Sequence, residues 1–345
     1  MESSEARFVP ALFVTRDRRG VGKGRVVNVP NTVRSYEDVF KVVIQIRPLR
    51  FCAHEARRLD FAKKICVRTR MLAFAYLLGV MVGDMSKATY QGLERNTMQV
   101  FLKLSRRHHS NLGFGYFVVL CAGLLGIRMR RIKDCESSPT DKSSAGAYRW
   151  SSQSSELLFW IFEKCLGLGV RQTTTIDSIR AEWIVEAPRF FTICFLQGLA
   201  DSDGYVDINK HEIGIIVEPN QILVRAILNR LYVRFRLVRI RNQATVVLGA
   251  KEGWSLPIFS PYAATHKFRL AKKLMEARRF RGRWPRWLRI EVDALVNLGL
   301  PSGEIVLAIL ERHGIAIRSQ HLRRPSGGIA MQERNGAEGV SFPVG

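Results

Sequence analysis

The chain has 345 residues, with 54 Lys and Arg against 30 Asp and Glu, giving a formal net charge of +24. At 47% hydrophobic residues it can bury a core, which excludes general disorder. So lopsided a charge argues against an ordinary metabolic enzyme and for a polyanionic partner, either nucleic acid or an anionic membrane.

Residues 1–69 read as a basic N-terminal extension. Its opening, Met1-Glu2-Ser3-Ser4-Glu5, is acidic and polar, unlike a secretory leader. Gly20-Val21-Gly22-Lys23-Gly24 lacks the spacing of a phosphate-binding loop, so residues 1–35 are expected to be a flexible basic arm. Residues 36–70 read as mostly helical. Residues 71–83 form an apolar run and are apolar all round, the pattern of a buried helix. Thirteen residues are too few to cross a bilayer, so a soluble, cytoplasmic protein without a membrane partner is expected.

A strand is expected at 99–105, a helix at 113–125, strands at 128–134 and 147–150, and a helix from Ser154 or Ser155 to Leu166. Residues 169–188 serve as a linker. The order then restarts: an apolar helix at 190–200, strands at 206–208 and 212–217, a helix at 221–233, strands at 236–240 and 245–248, and a helix at 266–277. The order helix–strand–strand–helix–strand–strand–helix is read for both 70–168 and 189–281, with only one strand marked before the second helix of the first copy, which implies an internal duplication. The six cysteines are dispersed, with no C-x-x-C pair, and argue against both a zinc site and a disulfide framework.

The two apolar helices end alike. One reads Leu77-Leu78-Gly79-Val80-Met81-Val82-Gly83-Asp84, the other Leu196-Gln197-Gly198-Leu199-Ala200-Asp201-Ser202-Asp203-Gly204. Gly79 and Gly83 match Gly198 and Ser202, and Asp84 matches Asp203, at a spacing of 119 residues. Small residues four apart share one helix face and let two backbones approach. Parallel packing would bring the two acids side by side, on the unfavourable end of both helix dipoles. A divalent cation reverses that penalty, and Mg²⁺ accepts few carboxylates when substrate phosphate completes its shell. Residues 201–212 also mimic a calcium loop, but Val206 stands where that loop requires Gly.

These segments resemble the LAGLIDADG motifs of the homing endonuclease family, over residues 70–281, with Met85 departing from the usual Gly. The resemblance implies an α+β fold, with two pseudo-symmetric repeats in one monomer forming a saddle of antiparallel sheets on the DNA major groove. It implies a Mg²⁺-dependent double-strand cut at a long, specific target. Asp84 and Asp203 would bind the metal, and Gly83 and Ser202 belong to the same metal site. Matching strand ends places Lys103 and Glu218 as further catalytic residues, and Lys267, with Lys210 and Lys251 as alternatives, as the basic residue. Two other activities belong to the same fold: a non-catalytic DNA-binding regulator and an intron RNA maturase. The retained acids favour cleavage, and the termini favour a free-standing protein over an intein.

Arg106 and Arg107 follow the 99–105 strand as candidate DNA contacts. Between Lys267 and Arg289 ten basic residues face one acid, and Arg279, Arg281 and Arg283 alternate with aromatics, a phosphate-tracking composition. Residues 282–325 then resemble a small all-α helix-turn-helix. Gly299 ends one helix, Ser302 caps the next, Gly314 turns the chain, and a last helix presents Arg318, Gln320, Arg323 and Arg324 to DNA. Residues 326–345 read as a tail.

Overall fold

A computed structural model of the chain describes residues 8–13, 25–87, 97–106, 108–132, 146–169, 171–174, 176–277 and 284–322. The architecture is mixed α+β, with two four-stranded antiparallel sheets. Among the described residues no helix is long and apolar enough to cross a membrane.

The chain opens with a hairpin of β1 (Phe8–Phe13) and β2 (Arg25–Pro30), followed by helices α1 (Tyr36–Val43) and α2 (Arg50–Arg58). This corrects the expected arm. Val27 and Val29 alternate with exposed Asn28 and are buried, and α1 and α2 add Val39, Val42, Val43, Cys52 and Ala56 to the main core. Ser35 starts α1 by accepting the Asp38 amide, while the Asp38 carboxylate accepts the Ser35 amide.

The first repeat runs α3 (Val67–Val82), β3 (Met85–Lys87), β4 (Val100–Ser105), α4 (Ser110–Leu124), β5 (Met129–Arg131), β6 (Ala147–Ser152) and α5 (Glu156–Trp160). Helix α5 continues as a π turn to Cys165. A short helix, α6 (Trp183–Glu186), lies in the linker. The second repeat runs α7 (Arg189–Asp203), β7 (Gly204–Asp207), β8 (Glu212–Ile216), α8 (Gln221–Arg230), β9 (Arg236–Ile240), β10 (Gln243–Gly249), α9 (Ala250–Ser255) and α10 (Thr265–Glu276). The sheets share one order, β3-β4-β6-β5 and β7-β8-β10-β9. Strand β3 was not legible in the sequence, because three residues are too few for an alternation signal.

Each sheet buries one face under its helices. Trp150 lies under Gly115 of α4, and Ile213 under Gly253 of α9. Residues at the alternate positions face away, and the ladder fixes which they are. On the first sheet these are Ser86, Phe101, Lys103, Ser105, Arg130, Arg149 and Ser151. On the second they include Tyr205, Asp207, Glu212, Gly214, Arg236, Val238 and Ile240.

Beyond α10, helices α11 (Arg286–Asn297) and α12 (Ser302–His313) form a small core of their own around Leu288, Val292, Ile305 and Ile309. Gly314, at φ 62°, ends α12 in the left-handed region. The last described element is a single 3₁₀ turn, Ser319–Leu322.

Candidate active site

Helices α3 and α7 pack on each other more extensively than any other pair of elements. Their approach is set by glycine. A Cβ on Gly79 would lie 2.1 Å from the Phe195 carbonyl oxygen, and one on Gly198 would lie 2.1 Å from that of Tyr76. The two contacts are the same contact, exchanged by the 119-residue repeat. They run parallel. One turn further on, a Cβ at Gly83 would meet Ser202 Cβ at 2.5 Å and Asp203 Oδ2 at 3.0 Å. The seam therefore delivers Asp84 and Asp203 to one end, with Gly83 and Ser202 between them.

That end also carries the unsatisfied carbonyls of α7. Lys267, from the first turn of α10, answers them. Its Nζ donates to Ala200 O at 3.4 Å, Asp201 O at 2.6 Å and Ser202 O at 3.1 Å. The neighbouring His266 stacks on His108 with ring centroids 4.7 Å apart, and its Nδ1 lies 2.5 Å from Ser110 Oγ. This stack ties α10 to the start of α4 and fixes the root of Lys267. Burial, then Lys267 and His108, push the His266 imidazole down to about 4, so it is neutral at physiological pH.

The acids are held as reluctant anions. Burial raises Asp84 to about 6, against the pull of Lys267. Asp203 is raised to about 7 by burial and then by Asp84, again against Lys267. Burial also raises Asp201 to about 7, although it accepts Tyr76 Oη–H at 2.7 Å and the Ser260 amide at 3.3 Å. Asp201 belongs to this cluster, and the sequence signalled it only as an acid in the calcium-loop mimic; its counterpart in the first repeat is Val82. Burial lowers Lys267, against the pull of Asp201, Asp84 and Asp203.

Two carboxylates at one seam, both raised by burial and Asp203 further by Asp84, form a donor set that suits a divalent cation. Among the described residues no group of three His, Cys, Asp or Glu side chains could close a protein-only metal site. Main-chain oxygens, water and a phosphate are the oxygen donors left to complete such a shell.

Lys103 and Glu218 sit differently. Met85 pairs with Leu102, and Gly204 with Ile215, so the register makes Ile216 the counterpart of Lys103 and Ser105 that of Glu218. Lys103 is exposed on the outward face, directly opposite Arg149 on β6. Glu218 is exposed, and its Oε2 accepts the Ala244 amide at 2.7 Å, extending the ladder past the end of β8. Lys210 pairs with Asp207 at 3.7 Å and Lys251 is exposed on α9, so Lys267 is the candidate lysine seen to hydrogen-bond at the seam. The Arg106 guanidinium lies 5.7 Å from the Tyr148 ring centre. Arg318 and Gln320 line a cleft against the outward face of the second sheet. Arg107, Arg279, Arg281, Arg283, Arg323 and Arg324 lie outside the described residues.

No family model matches the chain, and no curated protein does. Among solved structures it is similar to mesophilic variants of the homing endonuclease I-DmoI, at 20% identity over 54% of this chain and 93% of that one, TM-score 0.38. It is similar to the homing endonuclease I-WcaI bound to its DNA recognition sequence, at 10% identity over 57% and 86%, TM-score 0.38. Full-length DUF199/WhiA from Thermatoga maritima matches at 12% identity over 71% and 75%, TM-score 0.40. All three fall below 25% identity and below a TM-score of 0.5, so the chemistry is read from this chain's own residues.

Proposed function

We propose that this chain is a LAGLIDADG-type, site-specific endonuclease that hydrolyses both strands of duplex DNA with Mg²⁺. The reading is carried by the Asp84–Asp203 seam. Two half-buried acids that resist ionisation at the ends of two glycine-packed helices make a poor structural device and a good divalent-cation site. Asp84 and Asp203 would hold the cation, which when bound supplies Lewis acidity toward a phosphodiester and acidifies water.

The chain's own groups do the rest. Lys267 keeps the α7 carbonyls satisfied and lowers the cost of ionising both acids, so the seam is ready for a cation near neutral pH. Lys103, Arg130 and Arg149, on the outward face of the first sheet, supply phosphate contacts. Tyr205 presents an aromatic plane on the second, because Gly214 leaves room for its ring; a Cβ there would lie 2.2 Å from Tyr205 Cζ.

One observation favours a protein that binds DNA without cutting it. Lys267 gives the seam a cation of the chain's own, which lowers the cost of both acids. A pool of duplexes with randomised centres separates the readings. With Mg²⁺, the chain is expected to cut pool members sharing one motif, and Asp203→Asn to bind that motif uncut. Equal cutting by Asp203→Asn would refute the metal role, and binding without cutting by the unaltered chain would establish the regulator.

A further inference from the structure

The C-terminal module is not tethered; it is locked to the second repeat. Leu310 and Ala316 share a small core with Leu274 of α10 and with Val206 and Ile208. Lys273 pairs with Glu311 at 3.4 Å, and His211 Nε2 lies 3.2 Å from the Ile317 carbonyl oxygen. All of these partners belong to the second repeat or the β7–β8 connection. The docking sets the 3₁₀ turn beside the outward face of the second sheet. Exposed Arg318 and Gln320 line one cleft with Tyr205, Glu212 and Arg236 of that face. Glu212 and Arg236, which line the same cleft, form an ion pair.

We propose that the module is a built-in extension of the second half-site, so that the DNA footprint is lengthened on that flank alone and at fixed spacing. This rests on the endonuclease reading, since it needs duplex DNA on the outward faces. Duplex DNA lying along the second sheet passes Tyr205 and Arg236 and then meets Arg318 and Gln320. An arginine reads phosphate or guanine, and a glutamine pairs with adenine by two hydrogen bonds. The packed linkage leaves the turn no freedom to find its bases at a variable distance, as a flexibly tethered reader would.

The test uses the full chain and a pool of duplexes with forty randomised base pairs, about four helical turns, selected for binding in EDTA. The consensus is expected to carry extra positions on one flank. R318A/Q320A should lose only those, with about tenfold weaker binding to the wild-type consensus. They should adjoin the positions altered by R236A and lie across the cut from those altered by R130A. Inserting one base pair between inner and outer positions should cost the wild-type chain the same tenfold. An unchanged consensus for R318A/Q320A, loss on the Arg130 flank, or indifference to the insertion would overturn the extension and leave the endonuclease reading standing. Failure of the unaltered chain to select any consensus would sink both.

Discussion

Replacing Asp203 with Asn should stabilise the metal-free protein, and by an amount that depends on pH. The Asp203 carboxyl moves from its ordinary 3.8 to about 7 on folding. A raised acid keeps its proton in the folded state while the unfolded chain releases it. Stability is therefore full below about 4, falls as pH rises to about 7, and is flat above. Asn carries no proton to lose and escapes that fall. At 1.36 kcal/mol per pH unit the ceiling is about 4 kcal/mol. Water at the partly exposed seam, which screens the charge, reduces it to about 1–2 kcal/mol. Thermal unfolding in EDTA reads this as a Tm gain of a few degrees at pH 8 and little gain at pH 4. Millimolar Mg²⁺ should recover the difference for the unaltered chain and do nothing for the variant. A variant less stable at pH 8, or a gain that does not vary between pH 4 and 8, would refute the buried-anion account.

Gly79→Ala and Gly198→Ala should each cost about 3 kcal/mol or more in urea unfolding, since the new Cβ meets a carbonyl oxygen at 2.1 Å. Gly113→Ala is the matched control: nothing lies within 4 Å of its Cβ, and a gain of up to about 1 kcal/mol is expected. Lys267→Met should destabilise by about 2 kcal/mol, with a larger loss at pH 8 than at pH 5, because the Asp201 and Ser202 carbonyls lose a donor, the Ala200 carbonyl keeps only the Gly204 amide, and three acids lose their cation. Lys103→Ala with Arg149→Ala should weaken DNA binding and make its logarithmic salt slope shallower by nearly 2; an unchanged slope would show that these cations touch no phosphate.

The seam was legible in the sequence because its cause is local. Gly79, Gly83, Gly198 and Ser202 sit at helical spacing, and the acids follow at fixed offsets. The succession of the other strands of the two repeats was legible for the same reason, since each supplies its own alternation. Lys267 was only one of three candidates, because it reaches the α7 carbonyls from 64 residues beyond Asp203 and no spacing rule spans that distance. Matching strand ends paired Lys103 with Glu218, whereas the ladder pairs Lys103 with Ile216; a shift of two residues preserves the face and so leaves no trace in the hydrophobic pattern. The N-terminal hairpin was hidden by the glycine- and arginine-rich stretch between its strands. The docking of the C-terminal module depends on Ala316 and Ile317 meeting α10 and His211, contacts that belong to tertiary structure alone.

Iron(II) with ascorbate, added to the full chain on duplex DNA, cuts the polypeptide wherever the cation is held. Two cuts are expected, near Asp84 and near Asp203, both suppressed by excess Mg²⁺ and both absent from the Asp84→Asn, Asp203→Asn double variant. Cuts elsewhere, or cuts that Mg²⁺ leaves untouched, would contradict a cation at the seam.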